Sequence, residues 1–110
     1  MATYLLIESR DPFESSSAQH FLRLAGMIAE NGDAVILHLI QNGVLSLRKG
    51  NRLSNEIKEL MKQHVTIHAD EFSLKERGIQ SHECLEGVGR SGPDQIIETL
   101  LKPGVKAIWH

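Results

Sequence analysis

The sequence predicts an α/β protein, a three-layer α/β/α sandwich around a small parallel sheet. Four short, nearly continuous apolar runs alternate with segments whose apolar residues recur at helical spacing. Glycine, proline and asparagine separate these runs and segments at most of their boundaries. Strands that alternate with crossover helices form a parallel sheet with helices on its faces. The predicted order of elements is therefore β-α-β-α-β-α-β.

The predicted strands are the four apolar runs. Their length and continuity are typical of strands buried on both faces of a parallel sheet. The third run begins with the β-branched residues Val65 and Thr66, which further favour a strand. The runs lie at residues 3–8, 34–40, 65–69 and 105–109.

The predicted helices have recognisable start and stop signals. Ser15, Ser16 and Ser17 each offer a cap at the start of the first helix, and Ser16 with Gln19 fits a capping box. Asn31-Gly32 follows the last apolar residues of this helix. Pro93 lies near the first position of the last helix. The segment 79–90 is rich in glycine and polar residues and is predicted to be mostly loop. Further helices are predicted at residues 44–48, 53–63 and 72–77.

Length and composition limit the class of protein. A chain of 110 residues is predicted to form one domain, residues 1–110. The net charge of −2 argues against a strongly basic nucleic-acid clamp, so we expect no direct nucleic-acid binding. No apolar stretch approaches the roughly 20 residues of a membrane span, and no secretory signal is recognisable. The single cysteine, Cys84, excludes an intrachain disulfide, and we expect a cytoplasmic protein.

Candidate functional residues lie where the predicted strands end. Ligands of parallel α/β folds bind beyond the carboxyl ends of the strands. His68 and Asp70 share one face of the third strand and either orient a substrate or form a structural pair, which is the favoured alternative. His110, at the last position, is expected to fray. The predicted edge comprises residues 9–14, 41–43, 70–71 and 110.

Cys84 is the one thiol that can act as a nucleophile. His82, two residues away, would lower the pKa of this thiol, whereas Glu83 and Glu86 would raise it. The favoured alternative is a half-buried small residue without chemistry.

No cofactor or metal site is predicted. A lone cysteine cannot build a thiolate zinc site. His64 and His68 lie four residues apart, but His68 falls in the third predicted strand, so the two would not face one ion from a single helix. Neither of the glycine-rich phosphate motifs, GxGxxG and GxxxxGK[ST], is present. Arg48, Lys49 and Arg52 form either a lip that contacts phosphate or a solvated turn.

Four segments together carry a resemblance to a known family. They are Gln41-Asn42-Gly43-Val44, Gly50-Asn51-Arg52, Asp70-Glu71-x-Ser73-Leu74-x-x-Arg77-Gly78 and the strand that ends in Trp109. In this order and spacing they resemble the DsrE/DsrF/DsrH family of sulfur-relay proteins. The resemblance covers most of the chain and implies a flavodoxin-like α/β arrangement.

The resemblance also implies which residues matter. Proteins of the DsrE (TusD) type carry a cysteine just after the third strand, and this cysteine holds sulfur as a persulfide. Asp70 falls at or next to that position here, with His68, Glu71 and Arg77 as possible supporting residues. A carboxylate cannot carry a persulfide. The acid-bearing helix after Asp70 and the Gly50-Asn51-Arg52 segment look most like the DsrH (TusB) branch.

The implied partners are DsrE- and DsrF-like subunits (TusD- and TusC-like) in a homo- or hetero-oligomer. The implied pathway is tRNA wobble-uridine 2-thiolation or dissimilatory sulfur oxidation. The favoured function is a non-catalytic subunit of such a sulfur-relay complex. Two alternatives stay open, a persulfide-carrying sulfurtransferase that uses Cys84 and a small-ligand-binding α/β module.

Apolar residues at Leu45, Leu47, Leu53 and Met61 fit either a protein interface or a face buried within the chain.

Overall fold

A parallel sheet surrounded by helices forms the protein, in a computed structural model that describes residues 1–110. The strands are β1 (Thr3–Glu8), β2 (Ala34–Leu39), β3 (Thr66–Asp70), β4 (Gly89–Ser91) and β5 (Val105–Trp109). The α-helices are α1 (Ser16–Glu30), α2 (Ser54–Lys62), α3 (Glu71–Glu76) and α4 (Pro93–Leu100). Two 3₁₀ helices, Gln41–Leu47 and Ser81–Glu83, lie in the connections.

All strand pairs are parallel, and the order across the sheet is β4-β3-β2-β1-β5. The first three connections step in one direction, and the fourth returns across the sheet to place β5 beside β1. Leu6 of β1 therefore lies level with both Leu37 of β2 and Ile108 of β5. The predicted α/β class with a parallel sheet is confirmed.

The sheet has one strand more than predicted. The loop prediction over residues 79–90 is wrong at its end, because β4 begins at Gly89. A strand of three residues that starts with glycine is too short to show a period and too poor in β-branched side chains to be recognised. Gly89 lies level with His68, and a Cβ at this position would come within 3.1 Å of the His68 ring. Residues 89–91 therefore form a strand because they pair with β3, and their own sequence pattern does not indicate it.

Most predicted helices are confirmed, with corrections at their starts. Ser15 is the N-cap of α1 instead of Ser16, and its side chain accepts a hydrogen bond from the Ala18 amide at 3.2 Å. The helix predicted at residues 44–48 is the 3₁₀ helix Gln41–Leu47, which begins three residues earlier. The longest helix, α1, has 15 residues, and no helix combines the length and apolar character that a membrane span requires.

The two faces of the sheet are covered unequally. On one face Leu6, Leu37 and Ile67 join the main core cluster with residues of α1 and α2. Right-handed crossovers place α1, α2 and α3 on this face and α4 on the opposite face. No residue of α4 and no residue of β5 is buried. The layer formed by α4 is therefore thin, and it leaves apolar surface exposed.

The exposed apolar residues are not those singled out from the sequence. Leu47 and Leu53 are 0% and 2% exposed, and Leu45 and Met61 pack against the same core. Of the two alternatives for these four residues, the face buried within the chain is the correct one. The exposed large apolar side chains are instead Met1, Met27, Phe72, Ile97, Leu100, Leu101, Ile108 and Trp109.

Candidate functional site at the carboxyl edge of the sheet

The carboxyl ends of the parallel strands meet at one edge, where α/β proteins bind ligands. β1 ends there with Glu8 and β3 with Asp70. The 3₁₀ helix that follows β2 begins at the same edge, close enough that a Cβ on Gly43 would collide with the Glu8 carbonyl oxygen. Only glycine avoids this collision, which explains the glycine in the Gln41-Asn42-Gly43 segment.

Asp70 is a buried helix cap. It is 8% exposed, and its Oδ2 accepts hydrogen bonds from the Ser73 amide at 3.0 Å and the Ser73 hydroxyl at 2.6 Å. The Ser73 Oγ in turn accepts from the Gln41 amide at 2.8 Å. Gln41 has a φ of 50°, in the left-handed region that non-glycine residues rarely adopt. This chain of bonds therefore holds a strained turn after β2 against the start of α3.

Arg77 completes this cluster from the end of α3. Its Nε donates to Asn42 Oδ1 at 3.0 Å, and its Nη1 donates to the Ser73 carbonyl oxygen at 3.1 Å. A further ion pair joins it to Glu76 at 3.7 Å. The residues joined by these bonds are 32 and 35 positions apart, so two distant segments, around Asn42 and around Ser73, meet at the edge.

Glu71, the other candidate on α3, takes no part in these bonds. It is exposed in the first turn of the helix and makes no side-chain hydrogen bond or ion pair. An acidic side chain in this turn has a favourable interaction with the helix dipole.

Glu8 is a site residue that sequence reasoning missed. It is 0% exposed, and its two carboxylate oxygens lie 3.0 and 2.8 Å from Nδ1 of His110. The Arg10 amide also donates to Glu8 Oε1 at 2.9 Å. Burial raises the pKa of Glu8 above its usual range, although the Arg10 amide and His110 act in the opposite direction. A charged residue that ends an otherwise apolar run was the available signal.

His110 does not fray, so that prediction is wrong. Its amide donates to the Ile7 carbonyl oxygen at 2.8 Å, and its own carbonyl oxygen accepts from the Ser9 amide at 3.0 Å. The ring stacks on Phe21 with the ring centres 5.2 Å apart. Backbone pairing with β1 and the side-chain bond to Glu8 together hold the residue in place.

His68 and Asp70 follow one another on one face of β3, but their hydrogen bonds go to different residues. The Nδ1 of His68 lies 3.3 Å from the Ser91 hydroxyl, whereas Asp70 bonds only to Ser73. The His68 ring stacks on His38 at 6.0 Å between ring centres. His38 is 2% exposed, and its Nε2 has no hydrogen-bond partner. Burial, followed by the neighbouring His68, lowers the pKa of His38, and Asp70 acts against this shift.

Cys84 belongs to the main core cluster, on the face of the sheet that α1 and α2 cover. It is 7% exposed and forms an isolated antiparallel bridge with Arg48, supported by the bond from the Leu85 amide to the Leu47 carbonyl oxygen at 2.9 Å. Burial is the main cause that raises the pKa of this thiol. Glu83 raises the pKa further, as predicted, whereas Arg90 and Lys49 lower it. A thiol with a raised pKa holds little thiolate near neutral pH and is a weak nucleophile.

Of the three basic residues that follow the first 3₁₀ helix, only Arg52 makes contacts with its side chain. Arg52 lies over the Phe13 ring at 5.1 Å and donates to the Phe13 carbonyl oxygen at 3.3 Å, while Arg48 and Lys49 are exposed. The Asn51 amide group closes the loop by donating to the Ser46 carbonyl oxygen at 2.8 Å. No three His, Cys, Asp or Glu side chains lie close enough together to hold a metal ion.

The fold and this edge define a small parallel α/β protein whose polar edge residues bond mainly to one another. The chain belongs to the DsrE/DsrF-like family, since the model of that family matches residues 2–109. This confirms the family inferred from the sequence, while the DsrH (TusB) branch stays a prediction. Comparison with curated proteins finds no match.

Solved structures share the fold. The YchN protein of E. coli is 20% identical, with a TM-score of 0.87, over 98% of this chain and 100% of that one. MTH1491 of Methanobacterium thermoautotrophicum is 22% identical, with a TM-score of 0.80, over 98% and 97%. BT1422 of Bacteroides thetaiotaomicron is 16% identical, with a TM-score of 0.79, over 99% and 95%. At these identities the likeness shows the fold alone.

The bonds of Asp70 predict its contribution to stability. Asp70→Ala is expected to lower the free energy of unfolding by about 1–3 kcal/mol, because both Ser73 donors lose their acceptor. Asp70→Asn keeps an oxygen acceptor and is expected to lose less. Urea denaturation followed by circular dichroism measures both changes. Glu71→Ala, at an exposed carboxylate without such bonds, is the control and should stay within about 0.5 kcal/mol. Equal losses at the two positions would contradict the assignment.

The lowered pKa of His38 predicts a dependence of stability on pH. In the unfolded chain His38 takes up a proton near its ordinary pKa of about 6.5, whereas in the folded protein it stays neutral to lower pH. Its contribution therefore destabilises the protein as pH falls below about 6.5, by at most about 1.4 kcal/mol per pH unit for one proton. Glu8, whose pKa is raised, has the opposite slope: its contribution becomes more stabilising as pH falls through the raised pKa toward the ordinary value of 4.5, and it changes no further below that value.

His38→Phe should remove the His38 contribution and leave that of Glu8. Unfolding free energies of both proteins between about pH 5 and 7.5 are the measurement, and the difference between them should change most at the acidic end. Parallel curves for the two proteins would refute the assignment.

Proposed function

We propose that this protein is a non-catalytic subunit of a sulfur-relay complex, without a thiol at the edge where its family would carry sulfur. The observation that carries the proposal is the state of Asp70. Its carboxylate follows β3, is 8% exposed and is engaged in capping α3 through Ser73. A side chain with this role supports the architecture of the edge and has no sulfur to transfer.

The chemistry of sulfur transfer explains why a subunit of this kind is useful. A thiolate must attack the donor sulfur, and the persulfide that forms must be shielded from other thiols. A partner that carries the thiol gains such shielding when another subunit covers its site. The rigid edge formed by Asp70, Ser73 and Arg77 would supply a wall of this kind.

A persulfide carrier that uses Cys84 is the second candidate, and the position of Cys84 counts against it. The thiol is 7% exposed, and burial raises its pKa. Both features lower the rate at which it can attack a sulfur donor. A small-ligand-binding module, the third candidate, has no specific observation in its favour.

The surface of α4 and β5 supports the assignment as a subunit. Leu101, Trp109 and Ile97 are 78%, 70% and 54% exposed. Exposed apolar residues grouped on one helix and one edge strand mark a surface that another protein covers. We propose that DsrE- and DsrF-like partners cover it in an assembly of the DsrH (TusB) type. Such an assembly would serve tRNA wobble-uridine 2-thiolation or dissimilatory sulfur oxidation.

Reaction with polysulfide tests whether Cys84 carries sulfur. The folded protein is expected to gain no mass, whereas the same chain unfolded in denaturant should gain about 32 Da, one sulfur atom, because Cys84 is then accessible. Mass spectrometry after brief incubation near pH 7 is the measurement, and Cys84→Ser is the control that should gain nothing in either state. Sulfur on folded Cys84 as fast as on the thiol of a DsrE-like protein would favour the carrier.

Binding to partner subunits tests the proposed surface. Purified protein mixed with DsrE- and DsrF-like proteins is expected to elute as a larger complex whose mass light scattering measures. Leu101→Lys with Trp109→Lys should weaken the complex at least about tenfold, because each change places a charge in a desolvated contact. Asn31→Lys with His82→Lys, which places the same two lysines at exposed residues outside α4 and β5, is the matched control and should leave the complex intact. Failure to form any complex would remove the proposal.

A further inference from the structure

A groove between α1 and α2 lies apart from the carboxyl-edge residues described above. It encloses about 440 Å³ and opens to solvent along the outside of the two helices. Leu22 and Leu60 close its floor, and the side chain of Met27, 65% exposed, forms part of its wall. The remaining lining residues are Arg23, Gly26, Glu30, Asn55, Glu56, Glu59 and Gln63.

Gly26 determines how closely the two helices approach. A Cβ at this position would lie 3.0 Å from Gln63 Oε1 and 3.1 Å from a methyl carbon of Leu60. A hydrogen bond from Gln63 Nε2 to Glu30 Oε1, 3.3 Å long, links the helices at one end. The two helices therefore pack closely at Gly26.

The rim of the groove is acidic. Three of its charged residues, Glu30, Glu56 and Glu59, are carboxylates, and one, Arg23, is a cation. Lys62 pairs with Glu59 at 3.3 Å, but both side chains are largely exposed, so solvent screens this pair. An apolar strip with an acidic rim is complementary to apolar side chains flanked by cations.

We propose that this groove binds a short amphipathic helix of a partner protein, with apolar side chains on one face and Lys or Arg beside them. Helices bind grooves between two helices through residues at i, i+3, i+4 and i+7. The nine residues of α2 span about 13.5 Å, which matches two to three turns of a partner helix. The inference is independent of the proposed sulfur-relay function, because it uses none of the edge residues.

The charge of the rim argues against a second copy of this chain as the occupant. The exposed apolar helix that a copy would offer is α4, which carries Asp94 and Glu98. These acidic side chains would face the carboxylates of the rim, and like charges across an interface are unfavourable. A basic helix from another protein lacks this repulsion.

A model peptide tests the groove without knowledge of the natural partner. The probe is a fluorescein-labelled peptide of about 14 residues, made of leucine and lysine in an amphipathic helical pattern. Fluorescence anisotropy with the full chain should show binding that weakens as salt rises from about 50 to 300 mM. A peptide with glutamate in place of lysine should bind at least about tenfold more weakly.

Charge reversal locates the binding. The triple variant Glu30→Lys, Glu56→Lys and Glu59→Lys is expected to lose at least about tenfold in affinity for the leucine-lysine peptide and to gain affinity for the leucine-glutamate peptide. The control variant Glu14→Lys, Glu86→Lys and Glu98→Lys makes the same change in net charge at exposed residues elsewhere. The control variant should retain most of the affinity. Circular dichroism confirms that each variant is folded. The neutral variant Glu30→Gln, Glu56→Gln and Glu59→Gln should bind the leucine-lysine peptide with an affinity between those of the groove variant and the control variant.

Three results would overturn the inference. Equal losses in the groove variant and the control variant would mean that net charge alone attracts the peptide. Unchanged binding in the groove variant would place the peptide elsewhere. A lower native mass of the protein after charge reversal, measured by light scattering without peptide, would show that the groove is an interface between copies of this chain.

Discussion

The pairing of β1 with strands on both sides is the constraint on which the rest of the structure depends. β2 follows β1 through α1, whereas β5 comes from the end of the chain and must return across the whole sheet. The return places His110 beside Glu8, so a carboxylate that would be costly to bury alone gains a hydrogen-bond partner. It also places α4 alone on one face of the sheet. The anchored end of the chain and the thinly covered face thus have the same cause.

The carboxyl edge shows how an α/β fold can keep a binding position and use it for structure. Asp70 accepts hydrogen bonds from Ser73, and Arg77 donates to both Ser73 and Asn42. These bonds join the turn after β2 to α3. Cys84 is buried in the opposite kind of setting, among apolar side chains, where its thiol is held in the protonated form. The supporting role in sulfur transfer that we propose rests on Asp70, which acts as a helix cap at this edge, and on membership of the DsrE/DsrF-like family.

Much of the fold was predictable because local patterns and long-range pairing agree. The strands at residues 3–8 and 105–109 and the first helix are visible as apolar runs and helical spacing, and the structure has them within one residue. β4 was not predictable, since three residues carry no period and its partner, β3, lies about twenty residues earlier. The sequence could not decide whether Leu47 and Leu53 are buried within the chain or at an interface. An apolar helical face has the same residue pattern whether it packs on the core of its own chain or on another protein.

The sequence by itself determined the α/β class, the parallel sheet, the family and the presence of a carboxylate at position 70, because these depend on the order and type of residues. The tertiary structure alone decided that Glu8 meets His110, that His38 stacks on His68 and that Cys84 is buried. It also decided that α1 and α2 enclose an acidic groove. The physical reason is that each of these contacts joins residues far apart in the chain. Their distances follow from strand order and crossover direction, which no local pattern of residues encodes.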